Sequence, residues 1–367
     1  MNILVFTQKV DKNDDVLAAF YYWWEKLAQE VNQLNIVCLF EGEHHLPDNV
    51  KVFSLGKESG RLRVKYIWRV YKYFWALRKT TDVIFVHMNE VYIFLLWGAA
   101  KFYKIPIVFW KAHGGKLPHI KKAIFMADKI ITSGVKTFEY NTPKKVIIGQ
   151  GVNVDLFTPT QNAASEAGDS KFRVLAVGRP SSVKHYDILL ESANILINRQ
   201  GRGDIFFKIV GNSQNEKEAK HQKGLQRKIQ ECSLGGYVIM APGVSFGQIK
   251  QEYEKCSCLV NLTDPASLEK VVLEAMAMEK PVITSNEAFW PFLDSWEFLK
   301  VVKNNPLDLA EKIKNLAAQT PTQRRAIGQK LRAIVTAEHS VDHLINELIK
   351  VFYSVIRQSE NLEKLKQ

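Results

Sequence analysis

The stretch FRVLAVGRPSSVKHYDILLESANILINR (172–199) decides the fold. Its opening, FRVLAVGR (172–179), is a short apolar run that stops at a glycine, which reads as a strand. From His185 onward apolar residues recur at helical spacing through HYDILLESANILINR (185–199). A strand, a tight turn and a helix form one half of a parallel βα unit. Gly178 lets the backbone turn sharply. The turn then presents Arg179 and Lys184, two cations beside a helix N-terminus, and that combination makes an anion site. Spaced five residues apart across a loop, they can hold a diphosphate from two directions. The pattern GxxxxGK[ST] is absent, so this is no Walker loop. Taken alone, the motif is equally compatible with two solvated surface cations.

Working outward, the same alternation repeats on both sides. After 199 come the strand IFFKIVGN (205–212), the charged helix EKEAKHQKGLQRKIQEC (216–232) and the strand GYVIMAPGV (236–244). The helix FGQIKQEYEKC (246–256) and the strand SCLVNLT (257–263) follow, then VVLEAMAMEKPVITS (271–285), a helix running into a strand. Polar helices are expected over 306–318 and 321–358. Before 172, strands are expected at 2–7, 35–40, 82–89, 105–113, 129–133 and within 144–157, with helices between them. Asp14 or Asp15 is a natural N-cap for the first helix. The polar, small-residue run TPTQNAASEAGDS (158–170) reads as a linker. The expected architecture is α/β: two doubly wound units in tandem, residues 1–157 and 171–339. In such sheets ligands bind beyond the carboxyl ends of the strands, and with two units the cleft between them is the default site.

Composition narrows the partners. A chain of 367 residues with 46% hydrophobic and 24% charged residues is globular and long enough for two cores. Four cysteines, Cys38, Cys232, Cys256 and Cys258, make no metal spacing and read as reduced thiols. No leader is expected in MNILVFTQKV, and no apolar run is long enough to span a bilayer. The net charge of +12 favours an anionic partner. It is concentrated in GRLRVKYIWRVYKYFWALRKT (60–80), with seven Lys/Arg, six aromatics and no acid. Cations interleaved with Trp and Tyr suit a helix at a membrane interface. Nucleic-acid stacking is a weaker reading, because no nucleic-acid-binding module accompanies it. A solvated basic face on a core helix is the bland alternative.

The second candidate site is DPASLEKVVLEAMAMEKPVITS (264–285). Ser267 is expected to cap the following helix, so that free amides near Leu268, Glu269 and Lys270 form a second anion pocket. Glu274 lies amid Val271, Val272, Leu273, Ala275 and Met276. A buried carboxylate needs donors. Ribose hydroxyls would supply them, and so would a neighbouring backbone amide or a lysine.

Together these segments resemble the retaining GT-B glycosyltransferases of family 4 (glycosyl transferases group 1). The likeness rests on VGR with a lysine five positions on, on VVLEAMAMEKPVITS, and on FKIVGNS and IIGQGVNVDLFTP. EHSVDHLINELIKVFYSVI resembles the closing helix that crosses back to the N-terminal domain, which assigns about 340–367 to the first unit. The resemblance is sharp over 172–285 and looser over 1–157. It implies a nucleoside-diphosphate sugar as donor, UDP- or GDP-linked, and a glycan or lipid-linked acceptor. It implies a metal-free reaction without a cofactor, in which Arg179 and Lys184 stand in for the cation. It places Glu274 on the ribose, Gly178, Ser267, Leu268, Glu269 and Val244 around the donor, and His113 as an active-site residue near the transferred sugar. His87, Asn89 and Asp14 are candidate acceptor-side residues. A cytoplasmic protein peripheral to the membrane, working in cell-surface polysaccharide or glycolipid synthesis, would follow.

Two departures stand out. The family's first motif glutamate falls on Ala266, which points to a shifted acid such as Asp264 or Glu269, a different donor, or a catalytically weak nucleotide-sugar-binding protein. The glycine-rich loop after the first strand is replaced by QKVDKNDDV; its DKNDD lacks the later Gly and Glu of a calcium loop. A phosphorylase would need a cofactor lysine in a longer chain, and an inverting epimerase a cluster of acids and His that is not assembled here.

Overall fold

The computed structural model describes residues 1–14, 17–60, 63–112, 118–160, 171–264 and 267–364. His113, Asp15, Ala266 and the linker positions 161–170 lie outside them. The chain forms two compact units. One comprises Met1–Gly151 with Ser340–Gln367, the other Val152–His339.

The first unit is built on seven parallel strands: β1 (Asn2–Val10), β2 (Gln33–Glu41), β3 (Val50–Ser54), β4 (Val83–His87), β5 (Ile107–Trp110), β6 (Lys129–Thr132) and β7 (Lys145–Ile147). They lie in the order β3-β2-β1-β4-β5-β6-β7. The helices are α1 (Tyr21–Gln29), α2 (Arg63–Leu77), α3 (Val91–Phe102) and α4 (Ile120–Met126). The side-chain alternation of a strand decides which helix covers which face. Leu4 and Phe6 of β1 turn toward α2, α3 and α4. Ile3 and Val5 turn the other way, toward α1. With both faces covered, the central strands are mostly apolar, as in ILVF of β1 and VIFV of β4.

The second unit carries β8 (Phe172–Val177), β9 (Ile205–Val210), β10 (Val238–Ala241), β11 (Cys258–Asn261) and β12 (Val282–Thr284), also parallel, in the order β10-β9-β8-β11-β12. Its helices are α5 (Tyr186–Asn194), α6 (Glu216–Glu231), α7 (Ile249–Lys255), α8 (Lys270–Ala277), α9 (Pro306–Ala317) and α10 (Pro321–Glu338). A π turn over Ile195–Arg199 continues α5. The strand order reverses between β8 and β11, and this switch point opens a crevice at their carboxyl ends.

Three expectations are adjusted. The helix read over 321–358 is two helices, α10 and α11 (Val341–Lys364). It breaks at His339, and the Ser340 hydroxyl accepts from the His343 amide at 3.1 Å to start the next helix. That break is where the chain returns to the first unit, and Phe352 of α11 packs against Phe85 of β4. Second, Val152, Val154 and Phe157 belong to the core of the second unit, so the division falls after Gly151. Arg332 of α10 holds this segment through the carbonyls of Phe157 and Val154 and the Thr158 hydroxyl. Third, β3 has no clear signal in the sequence: VKVFS mixes polar and apolar residues at the sheet edge, where one side needs no partner strand.

Candidate functional site

Gly178 ends β8 with φ +141°, a conformation that L side chains rarely adopt. A methyl group there would also lie 2.8 Å from Lys184 Cε. Beyond it the chain makes a 3-10 turn, Ser182–Lys184, and enters α5 through His185 in the left-handed region (φ +48°). Tyr186 closes the loop: its hydroxyl donates to the Gly178 carbonyl at 3.0 Å. Burial pushes the Tyr186 phenol far up, so it stays a donor. At the end of β9, Gly211 stacks directly on the Gly178 peptide, and any side chain on it would run into that carbonyl. At the end of β10, the Gly243 amide donates to Asn212 Oδ1 at 2.8 Å. Three neighbouring strands thus end in glycines packed against backbone or side chain, which keeps this edge of the sheet open.

The two predicted cations flank Gly178 and turn to opposite sides. Arg179 Nη1 donates to Gln214 Oε1 and to Glu218 Oε1, each at 3.1 Å, on the α6 side. Glu218 is buried and also accepts from the Gln214 amide at 2.8 Å. Its own amide is capped by Asn215 Oδ1 at 2.9 Å. Lys184 turns toward α8. Its Nζ donates to both oxygens of Glu269, at 3.0 and 2.8 Å. Asn261 Nδ2 holds the same carboxylate at 2.8 Å. Thr263 and Thr284 in turn donate to Asn261 Oδ1 at 3.0 and 3.2 Å. Both cations are therefore paired with carboxylates, Lys184 shielded from solvent and Arg179 half-exposed.

The segment before α8 departs from expectation. Ser267 does not cap the helix. The helix begins at Lys270 with Glu269 in the N-cap position and no side-chain cap. The Ser267 carbonyl instead accepts from Asn286 Nδ2 at 3.0 Å. The reason is that Glu269 is drawn into the ion pair with Lys184, and its extended backbone (ψ 131°) postpones the first turn. Leu268 is buried in the core. Asp264 is half-exposed and pairs with Lys303 at 2.5 Å and His185 at 3.4 Å. The hydrogen bond from Lys303 holds its carboxyl below the usual range.

Glu274 is buried, as its apolar neighbours require, and its donor is a protein group: the Tyr253 hydroxyl, 2.9 Å from Oε2. Burial pushes the Glu274 carboxyl up, against the opposing pull of Tyr253 and of Lys270 one turn earlier. Burial pushes the Lys270 ammonium down. Val244 lies half-buried after β10, packed on the core.

In the first unit, His87 is enclosed rather than lining a surface. Its Nδ1 is 3.0 Å from Thr7 Oγ1, and rings of Phe20, Trp23 and Trp24 surround it. The expectation of an acceptor-side His87 is thereby corrected, since Phe20, just before α1, and Trp23 and Trp24 on it deliver three aromatic rings that the strand sequence alone does not announce. Asn89 makes a local turn, with Oδ1 accepting from the Val91 amide at 3.1 Å. Asp14 caps the entry to the first helical segment through the Leu17 amide at 2.7 Å and pairs with Lys9. Burial would lower the Lys9 ammonium, but its hydrogen bonds to Asp14 and Asp11 outweigh that and raise it. Glu218, Gln214, Asn261 and Lys303 are site residues that sequence reasoning missed; only NSQNE (212–216), with an Asn before a helix start, gave a hint. Among the described residues no group of three His, Cys, Asp or Glu could hold a metal ion.

Comparison with known proteins agrees with this architecture. Residues 157–333 match the family model described as Glycosyl transferases group 1. The D-inositol 3-phosphate glycosyltransferase of Streptomyces scabiei is 26% identical over 159 residues, covering 41% of this chain and 35% of that protein. An uncharacterised glycosyltransferase of Methanocaldococcus jannaschii is 27% identical over 175 residues, 47% of this chain and 44% of that protein. The chain thus spans about a third to under a half of the length of these relatives. Among solved structures, Anabaena HepE in complex with UDP and glucose superposes with TM-score 0.75 at 17% identity, over 96% of this chain and all of that one. Sucrose-phosphate synthase from Thermosynechococcus elongatus gives TM-score 0.75 at 14% identity over 98% of this chain. The fold is the GT-B class of two Rossmann-like units.

Proposed function

We propose that this protein is a retaining glycosyltransferase that moves a sugar from a UDP- or GDP-linked donor to a glycan or lipid-linked acceptor. The observation that carries the reading is the pair of cations, Arg179 and Lys184, placed on either side of the Gly178 turn at the sheet's switch point. A diphosphate entering there exchanges the carboxylates of Glu218 and Glu269 for its own oxygens. The ribose falls to Glu274, whose bond from Tyr253 already orients the carboxylate.

The chemistry follows from charge. As the bond between the anomeric carbon and the diphosphate breaks, negative charge grows on the leaving oxygen and positive charge on the sugar ring. Cations fixed beforehand stabilise that state more than the ground state. The acceptor hydroxyl attacks the same face, and its proton passes to the departing phosphate oxygen. His113, by its resemblance, belongs near the transferred sugar. No metal is required, because Arg179 and Lys184 supply the positive charge.

The test is nucleotide release from a panel of UDP- and GDP-sugars. Arg179→Ala and Lys184→Ala should each lower turnover by about two to three orders of magnitude, as for loss of a single transition-state donor. Thermal stabilisation by a nucleotide with no turnover of any donor would point to a nucleotide-sugar-binding protein instead. Absence of stabilisation by both nucleotides would refute either reading.

A further inference from the structure

The helices α2, α3 and α4 cover one face of the seven-stranded sheet. Read together they carry seven Lys/Arg and not one Asp or Glu, in a chain whose totals are 50 and 38. Their buried sides are settled: Val70 and Phe74 of α2 face the sheet. About 120° round α2 from that buried stripe, Val64, Trp68 and Trp75 fall within about 40° of one another at 100° per residue. These side chains are 78%, 61% and 42% exposed. The neighbouring helices continue the pattern, with Phe102 at the end of α3 78% exposed and Phe125 of α4 71% exposed.

The exposed rings belong to one surface. The Tyr71 hydroxyl of α2 donates to the Leu95 carbonyl of α3 at 2.8 Å. Trp75 contacts Tyr103 at 5.5 Å between centroids, and Trp97 of α3 contacts Phe125 of α4 at 6.0 Å. Cations lie against the same rings. Lys72 Nζ is 5.4 Å from the Trp68 centroid, and the Arg78 guanidinium is 5.0 Å from Trp75. A merely solvated basic face would carry polar residues between its lysines, not Trp and Phe. Contiguous exposed apolar surface of this kind marks an interaction site. Aromatic rings with long cations beside them match the headgroup zone of a bilayer, where the rings sit in the interface and the cations meet lipid phosphate.

We propose that the α2–α3–α4 face is a membrane-docking surface selective for anionic lipid. It involves no crossing of the bilayer: among the described residues no helix is long and apolar enough for that. It stands apart from the glycosyl-transfer reading, since docking needs neither donor nor Lys184.

The experiment is flotation of the full chain with vesicles of phosphatidylcholine alone and of phosphatidylcholine mixed with phosphatidylglycerol. Binding should require phosphatidylglycerol and weaken with salt. Lys65→Gln combined with Lys72→Gln should weaken it on the order of fivefold per charge removed. Phe102→Ser combined with Phe125→Ser should weaken it on the order of tenfold per ring. The circular-dichroism spectrum and melting temperature should be unchanged in both variants, which shows that the fold is intact. The proposal is overturned by binding indifferent to phosphatidylglycerol, or by variants that float like the wild type. It is equally overturned if a single-stranded oligonucleotide binds more tightly at the same salt and displaces the vesicles. A patch whose mutation shifts only a monomer–dimer equilibrium in sedimentation overturns it too.

Discussion

Glu269→Gln should tighten the binding of free UDP or GDP. The Glu269 carboxylate holds Lys184 through two contacts, at 3.0 and 2.8 Å, with the two side chains only 17% and 20% exposed. A diphosphate has to displace it. Charge-assisted hydrogen bonds are worth about 1.5–3 kcal/mol each when shielded from water. Residual exposure and exchange for solvent reduce the pair to about 1–2 kcal/mol in total. Glutamine keeps the acceptor for Asn261 Nδ2 and the shape of the N-cap but removes the competing charge. The expected gain is about 5–30-fold in affinity. Calorimetric titration of wild type, Glu269→Gln and Lys184→Met measures it, with Lys184→Met expected to lose binding. Glu269→Gln binding the free nucleotide more weakly than wild type would refute the competition, and would make Glu269 a direct ligand of the donor.

Other outcomes follow from the same geometry. Gly211→Ala should lower the melting temperature and weaken nucleotide binding, because its methyl meets the Gly178 peptide. Gly224→Ala, in the exposed middle of α6 with nothing nearby, should stabilise by about 0.5–1 kcal/mol, read by denaturant titration. Arg332→Ala strips hydrogen bonds from the carbonyls of Val154, Phe157 and Ala277 and should cost about 2–4 kcal/mol. Arg332→Lys should recover only part, lacking the planar fork. Of the four thiols, only Cys232 should react quickly with an alkylating reagent in the native protein. Burial pushes Cys38 up to about 12 and Cys258 well above the usual thiol range, so the reactive thiolate is absent at neutral and mildly alkaline pH.

The strand–turn–helix around Gly178 was readable because its signals are local: an apolar run, a glycine, then 3.6-residue periodicity. The positions of Arg179 and Lys184 followed from that turn. Their partners did not. Glu269 is 85 residues from Lys184, and Glu218 is 39 from Arg179; only the parallel order of β8, β9 and β11 brings them together. Ser267 shows the opposite error. A good capping residue stood where a cap was needed, but the ion pair at Glu269 moved the helix start. His87 misled for a similar reason: its strand-end position is local, whereas the aromatic cage comes from Phe20 and the start of α1. The apolar run around Glu274 announces a buried carboxylate in need of donors, and Tyr253, 21 residues earlier on α7, is one of them.

The closing helix α11 has a consequence for how the protein is made. Val341, Leu344, Leu348 and Phe352 cover the sheet face formed by Ile3, Val5 and Phe85. During synthesis that face emerges first, yet its cover is translated only after the whole of Val152–His339. At about 5–20 residues per second the interval is on the order of ten to forty seconds. The second unit, being contiguous, can fold on the ribosome in that time, while the first waits with this face covered by α1 alone. A nascent chain stalled before residue 341 should therefore recruit chaperones that the finished protein does not.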